Sequence, residues 1–234
     1  MSYTSEVLAD SPVGYFLLDE ASGDPADSSG HGHNFTAVNG TPTYRQVGPI
    51  TSDASNFAIL LNSATPDWFA MNYDAAFDIG DVGSVEIWIK RGDTSTSELE
   101  IINRDQGFYL GLITNQLFIA KTSVAGIAKS TTTITDTTTW HHLVNTKNGA
   151  TVHQYIDGVD VTGTVTNATW QNGTSPFVDL GANGGGDAFK GSIARPAIYA
   201  TELSQARVSA HYAAATAGAA TRGPNDKVRV LSWL

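Results

Sequence analysis

The sequence predicts an all-β protein built as a two-sheet antiparallel sandwich, and three observations carry that prediction. First, Tyr155-Ile156-Asp157-Gly158-Val159 sets Asp-Gly between two apolar, β-branched runs. A type I′ hairpin turn needs positive φ at both central residues, and Asp and Gly tolerate that best. Second, Val85, Ile87 and Ile89 alternate with Glu86, Trp88 and Lys90, which gives one segment two distinct faces. Third, short candidate strands recur with polar turns between them, at 33–38, 56–62, 68–73, 84–91, 98–104, 107–113, 116–121, 139–147, 151–157 and 177–181.

The remaining elements follow in order. Residues 4–9 allow one or two helical turns with Thr4 as N-cap, ended by Ser11-Pro12. Residues 13–20 carry apolar side chains on both faces (Val13, Tyr15 and Leu17 against Phe16 and Leu18), the pattern of a strand buried on both sides. Residues 21–33 form a long polar loop. A final strand at 188–199 is bent or held at an edge by Pro196, which cannot donate to a ladder. Thr201 or Ser204 caps a short C-terminal helix whose apolar side is Leu203, Ala206, Val208, Ala210 and Tyr212. From Thr216 to Pro224 the composition is linker-like. Beyond it Val228, Val230 and Ser232 alternate with Arg229, Leu231 and Trp233 up to Leu234, a terminal tail strand. That strand either closes the edge of its own domain or docks in a partner or neighbouring copy, and assembly through Val228, Val230, Leu231, Trp233 and Leu234 is the sharper of the two expectations.

Composition narrows the function classes. The 234 residues suit one large β-domain, 1–215, followed by the segment 216–234. A net charge of −10 with no basic cluster argues against nucleic acid and against anionic membrane surfaces. There is no cysteine, hence no disulfide framework and no thiolate site. No apolar run approaches the ~20 residues of a membrane span, and the first residues lack the basic and apolar regions of a signal peptide.

Five segments, taken together, resemble one family. Trp140-His141-His142-Leu143-Val144 followed by Gln154-Tyr155-Ile156-Asp157-Gly158 resembles the central hairpin of laminin-G-like domains, a branch of the concanavalin A-like jelly rolls. Gly14-Tyr15-Phe16-Leu17-Leu18 with Asp27-Ser28-Ser29-Gly30 resembles the family's opening strand and loop, and Gly83 to Lys90 its core strand. Phe189-Lys190-Gly191-Ser192-Ile193, then Leu203-Ser204 and His211-Tyr212, resemble its last strand and closing helix. The resemblance implies a jelly-roll sandwich that binds rather than catalyses. Family members work outside cells, and this chain shows no export signal. It is similar to phage minor tail proteins, made in the cytoplasm and carried on the virion, with other virion proteins, copies of itself or host-surface glycan as partners. A structural decoration protein, a jelly-roll glycosidase and a secreted lectin are the alternatives.

The candidate chemistry is thin on catalysis. Glycoside cleavage needs carboxyl groups on one face at a set spacing. Glu98 and Glu100 share a face without a third acid, and Asp19 and Glu20 point opposite ways. Calcium is the one cofactor the resemblance implies, at Asp27 with Asp24 and Asn34 near it. The family's last-strand acid is replaced here by Ala194 and Arg195, so Asp27 either binds calcium or pairs with Arg195. For saccharide, the useful parts are rings beside amides and acids: Trp68 with Asn72, Trp170 with Asn172, and the loop from Asn183 to Asp187. Packing of both tryptophans is the competing expectation. Arg91-Gly92-Asp93 spells an adhesive tripeptide, but it falls where Gly-Asp is ordinary turn chemistry.

Overall fold

The computed structural model describes residues 2–62, 65–72, 74–104, 109–121, 124–166 and 177–220. In chain order the elements begin with α1 (Tyr3–Ala9), β1 (Gly14–Tyr15), β2 (Ala37–Asn39), β3 (Thr43–Val47), β4 (Phe57–Leu61) and β5 (Trp68–Asn72). After a 3-10 turn at Ala75–Phe77 come β6 (Val82–Arg91), β7 (Leu99–Arg104), β8 (Tyr109–Ile113), β9 (Gln116–Lys121) and β10 (Val124–Thr133). Then follow β11 (His141–Asn148), β12 (Thr151–Ile156), β13 (Val159–Asp160), β14 (Thr162–Val165), β15 (Phe177–Leu180), β16 (Gly191–Tyr199) and α2 (Gln205–Ala220).

Two antiparallel sheets result. The first runs β13-β12-β11-β6-β16-β4-β3, with β1 beside β16; the second runs β14-β10-β9-β8-β7-β15-β5-β2. Alternation along β6 shows how the layers form. Val85, Ile87 and Ile89 are fully buried between the sheets with Leu61, Phe69, Leu117, Leu143 and Ile193. Glu86 and Trp88 face the other way, into a second core where Tyr3, Val7, Tyr155, Tyr199, Leu203 and Val208 bring α1 and α2 against the first sheet. Both apolar layers thus share β6, the central strand, paired with β11 on one side and β16 on the other.

The local signals resolve in physical terms. Asp157 and Gly158 take φ of 54° and 78°, the I′ geometry expected of the hairpin between β12 and β13. Ser2, not Thr4, caps α1, its hydroxyl accepting from the Ser5 amide at 3.2 Å. Ser204 caps α2, accepting from the Arg207 amide at 3.3 Å. The segment 13–20 is buried as expected but is a strand for two residues only. Leu18 is left-handed at φ 56°, and β16 bulges at Arg195-Pro196, where the register shifts between Ala194 and Ala197. Residues 216–220, linker-like in composition, continue α2, because alanine favours helix and Gly218 fits closely over Thr51. Val228, Val230, Leu231, Trp233 and Leu234 lie outside the described residues.

Candidate functional site

The site builds from strand parity on the second sheet. Phe69 and Met71 enter the inter-sheet core, so Trp68, Ala70 and Asn72 point to the outer face. Val178 and Leu180 do the same for β15, which turns Asp179 outward; Leu110 and Leu112 turn Tyr109 and Gly111 outward. In β7, Leu99, Ile101 and Ile102 are all core residues, because the ladder to β8 shifts register between Glu100 and Ile102. That bulge brings Glu100 and Asn103 onto the same outer face. Asn103 pairs with Asp179 across the ladder, so the polar side chains form one patch.

The loop after β15 closes over the patch. Asn183 and Gly186 exchange backbone hydrogen bonds of 3.0 and 2.8 Å around Gly184 (φ 52°) and Gly185 (φ 91°), a tight turn that side-chain-bearing residues would strain. The Gly184 amide donates to Asp179 Oδ2 at 3.0 Å, and the Glu100 amide donates to the Asp187 carbonyl at 2.7 Å. A Cβ on Gly185 would stand 3.5 Å from Trp68 Nε1, so the loop backbone runs beside the indole. Asn103 Nδ2 donates to Glu100 Oε2. Asn103 Oδ1 is buried and has no hydrogen-bond partner among the described residues.

Electrostatics follow from this crowding. Burial first, then the neighbouring Glu98 and Asp187, push the Glu100 carboxyl up to about 7. Burial and Asp187 also raise Glu98, while Lys129 holds it down. Tyr109 rises to about 12, through burial and then the same carboxylates. The half-buried Tyr109 ring meets Phe118 edge-on at 5.7 Å. The arrangement offers two rings, several carboxyl and amide acceptors, and an acid that carries its proton below neutrality.

The other predicted residues divide. Trp68, Asn183 and Asp187 converge on this patch. Asn72 sits at the far end of β5 and joins His33, Asn34 and Asp74 around a separate cavity of about 170 Å³. Trp170 and Asn172 lie outside the described residues. Asp27 and Arg195 do not pair. Arg195 donates to the Leu17 and Ser55 carbonyls and lies 3.8 Å from Asp53. Asp27 accepts the amides of Tyr15, Ser29, Gly32 and His33 and the Ser29 hydroxyl, which ties the 27–33 loop to β1. Burial opposes the Asp27 charge, yet those donors hold the carboxyl below its ordinary value. Asn34 Oδ1 already accepts from the Asp27 amide at 2.8 Å, and Asp24 is exposed. Among the described residues no three His, Cys, Asp or Glu side chains are arranged to hold a metal ion, so the donors present fit a loop clasp better than a calcium cage. Arg91 of the adhesive-like tripeptide is buried, bonding Asn115 Oδ1 at 2.7 Å and the Ile134 carbonyl at 2.6 Å.

Sequence reasoning missed Tyr109, Asn103 and a groove of about 700 Å³ between β10 and β14, lined by Gln116, Lys129, Thr131 and Thr164 among others; the bulge in β7 has no signature in residue pattern. It also missed a fully buried polar node under the helices. Glu86 Oε1 accepts from Tyr3 Oη and His142 Nε2, each at 2.7 Å, and Oε2 from Tyr199 Oη at 2.7 Å and His211 Nδ1 at 3.0 Å. His211 Nε2 faces Asp10 Oδ2 at 2.9 Å. Both His211 nitrogens thus face acceptors, and although burial opposes its charge, Glu86 and Asp10 raise the ring above its ordinary value.

Solved structures share the fold at low identity. Domain 4 of AbnA, a GH43 extracellular arabinanase from Geobacillus stearothermophilus, solved with arabinotriose, superposes with a TM-score of 0.61 at 18% identity, covering 86% of this chain and 98% of that one. The binding domain of Paraclostridial Mosquitocidal Protein 1 gives 0.62 at 16%, covering 88% of this chain and 52% of that one. The binding domain of Botulinum Neurotoxin DC in complex with SialylT gives 0.57 at 17%, with the same coverages. The chain thus spans about half of each toxin binding domain. No curated protein matches the sequence. The profile of the concanavalin A-like lectin/glucanases superfamily matches residues 62–209, which take in β5 to β16 and the first turn of α2. The chain belongs to the concanavalin A-like lectin/glucanases superfamily.

Proposed function

We propose that the protein is a saccharide-binding module that works through the outer face of its second sheet. The observation that carries this reading is the convergence at the surface of the Trp68 ring with Asn183 and Asp187, the turn between them running beside the indole over the buried Glu100 and Asn103. Rings stack on the apolar faces of sugars, and fixed amides and carboxyls read their hydroxyls. Two proteins of this fold, the arabinanase domain with arabinotriose and the neurotoxin binding domain with SialylT, support the ligand class. Binding is measured by calorimetry against a panel of neutral oligosaccharides. Trp68→Ala weakens it at least tenfold; unchanged affinity in that variant sinks the reading.

Binding without hydrolysis is part of the same proposal. Glu100 is held by Asn103 and Asn183 and is 3% exposed, a poor position for a proton donor to a glycosidic oxygen. Reducing ends released from a glucan by the wild-type protein, and not by Glu100→Gln, are the contrary result. The phage-tail setting implied by the sequence resemblance belongs here too. No described helix is long and apolar enough to cross a membrane. Mass spectrometry of purified particles tests the setting: peptides of this chain in the tail fraction support it, and their absence removes it.

A further inference from the structure

We propose that Asn183 is a self-modification site, where the folded loop drives conversion to aspartate and isoaspartate through a cyclic imide with the Gly184 nitrogen. The chemistry is intramolecular and independent of what the neighbouring face binds.

An asparagine followed by glycine closes such a ring most readily, because glycine has no Cβ to obstruct the approach to its nitrogen. The sequence holds four of these pairs, Asn39-Gly40, Asn148-Gly149, Asn172-Gly173 and Asn183-Gly184, of which the third lies outside the described residues. What distinguishes Asn183 is its neighbours. The Gly184 amide, the nucleophile, donates to Asp179 Oδ2 at 3.0 Å, so a carboxylate stands at the proton that must leave. The Asn183 side-chain amide, the group that departs, donates to the Glu100 carboxyl. Burial, Glu98 and Asp187 lift that carboxyl to about 7, which keeps a proton on it for part of the time near neutrality. A base at the nucleophile and an acid at the leaving group is the arrangement of general acid–base catalysis. Asn183 is half-buried and Gly184 exposed, and a Cβ on Gly184 would meet no atom within 4 Å, so water has access to the ring.

The other described pairs lack the base. The Gly149 amide donates to the Asp81 carbonyl at 2.9 Å, a neutral acceptor, although Asn148 Nδ2 also donates to a carboxylate, Glu202 Oε2, at 3.0 Å. Asn39 is paired with Trp68 in the ladder, and a Cβ on Gly40 would collide with Asp67 Oδ1. Asp67 accepts the Thr41 and Asn62 amides instead, at 2.6 and 2.8 Å.

The steps balance. Asp179 takes the Gly184 amide proton as that nitrogen bonds to Asn183 Cγ. The Cγ–Nδ2 bond then breaks, Glu100 gives its proton, and ammonia leaves. The proton on Asp179 returns to Glu100 through water. A second water opens the imide at one of its two carbonyls, giving aspartate or isoaspartate. One water is consumed, one ammonia is released and nothing is oxidised. Either product sets another carboxylate beside Glu100 and Asp187, and isoaspartate also lengthens the backbone where Asn183 and Gly186 exchange hydrogen bonds. The loop beside Trp68 thereby ages irreversibly.

The test is ageing of the whole chain at pH 7. Tandem mass spectrometry locates each amide lost, and isoaspartyl methyltransferase labelling counts isoaspartate. In the folded protein Asn183 is expected to convert at least tenfold faster than Asn148 and Asn39, and in guanidinium the three rates converge to within threefold. Asp179→Asn slows Asn183 at least fivefold and Glu100→Gln at least threefold, with Asn148 unchanged and circular dichroism confirming the fold of each variant. The wild-type ranking needs no substitution, so it decides the matter even where a variant fails to fold. Asn183 converting no faster than Asn148 in the folded chain, a ranking that persists after unfolding, or folded variants that both keep the wild-type rate each overturns the proposal.

Discussion

Glu100 shows how much a single buried carboxyl can govern. Its ordinary value is 4.5 and burial with Glu98 and Asp187 lifts it to about 7. A group raised in the folded state contributes stability fully below its unfolded value, and loses it as pH climbs toward the folded one. The protein therefore spends about 3 kcal/mol above neutrality to keep that charge on the sheet face. Glu100→Gln is expected to raise stability by roughly that amount at pH 8 and by almost nothing at pH 4, read from urea denaturation at the two pH values. Legibility at this scale was uneven. Trp68, Asn183 and Asp187 stand out in the sequence as a ring and polar groups next to turns, and the fold places them together. Asn72 was misplaced with Trp68, since the two ends of one strand are close in sequence and face separate cavities. Glu86 read as an ordinary strand acid, and only the packing of two helices over β6 reveals it as a buried anion held by four donors.

Among the elements, the hairpin between β12 and β13 was legible to the residue, because the I′ turn has strict φ demands. Gly158 sits at φ 78° with Tyr212 of α2 beside it, where a Cβ would come within 3.2 Å. Gly158→Ala is expected to cost about 1–2 kcal/mol, from left-handed strain with a small steric addition, measured by the denaturation midpoint. The strands missing from the sequence reading are β3, β10 and β14. β10 and β14 are rich in Thr, Ser and Gly and β3 carries Arg45 and Gln46 at its centre, so none of the three shows apolar alternation. The same hydroxyl-rich composition that hid β10 and β14 lines the groove between them.

For the whole molecule, pH dependence sums opposing groups. His141, bonded by Asp157 and Asp136, is raised above 6.5. His211 is raised as well: burial opposes its charge, and Glu86 and Asp10 outweigh that. Their contributions are complete below 6.5 and fade as pH passes the folded values; the Glu100 cost grows over part of the same range. Glu86 resists its own burial through His211 and His142 and is held well below 4.5, and Asp27 is lowered too, so their contributions fade only in acid. The melting temperature is expected to peak on the acid side of neutrality, near pH 5–6.5, and to fall toward pH 9. A scanning-calorimetry series checks it, and a maximum above pH 8 contradicts the assignment. Both cores share β6, so each scan is expected to show one transition.

The node at Glu86 also fixes an orientation. It pins α1 through Tyr3 and α2 through His211 to the first sheet, and Arg207 strengthens the clasp at Asp10 and Glu6. Trp68 lies on the outer face of the second sheet, the opposite side of the sandwich. A label attached at the exposed Leu8 of α1 therefore leaves the proposed saccharide face unshaded.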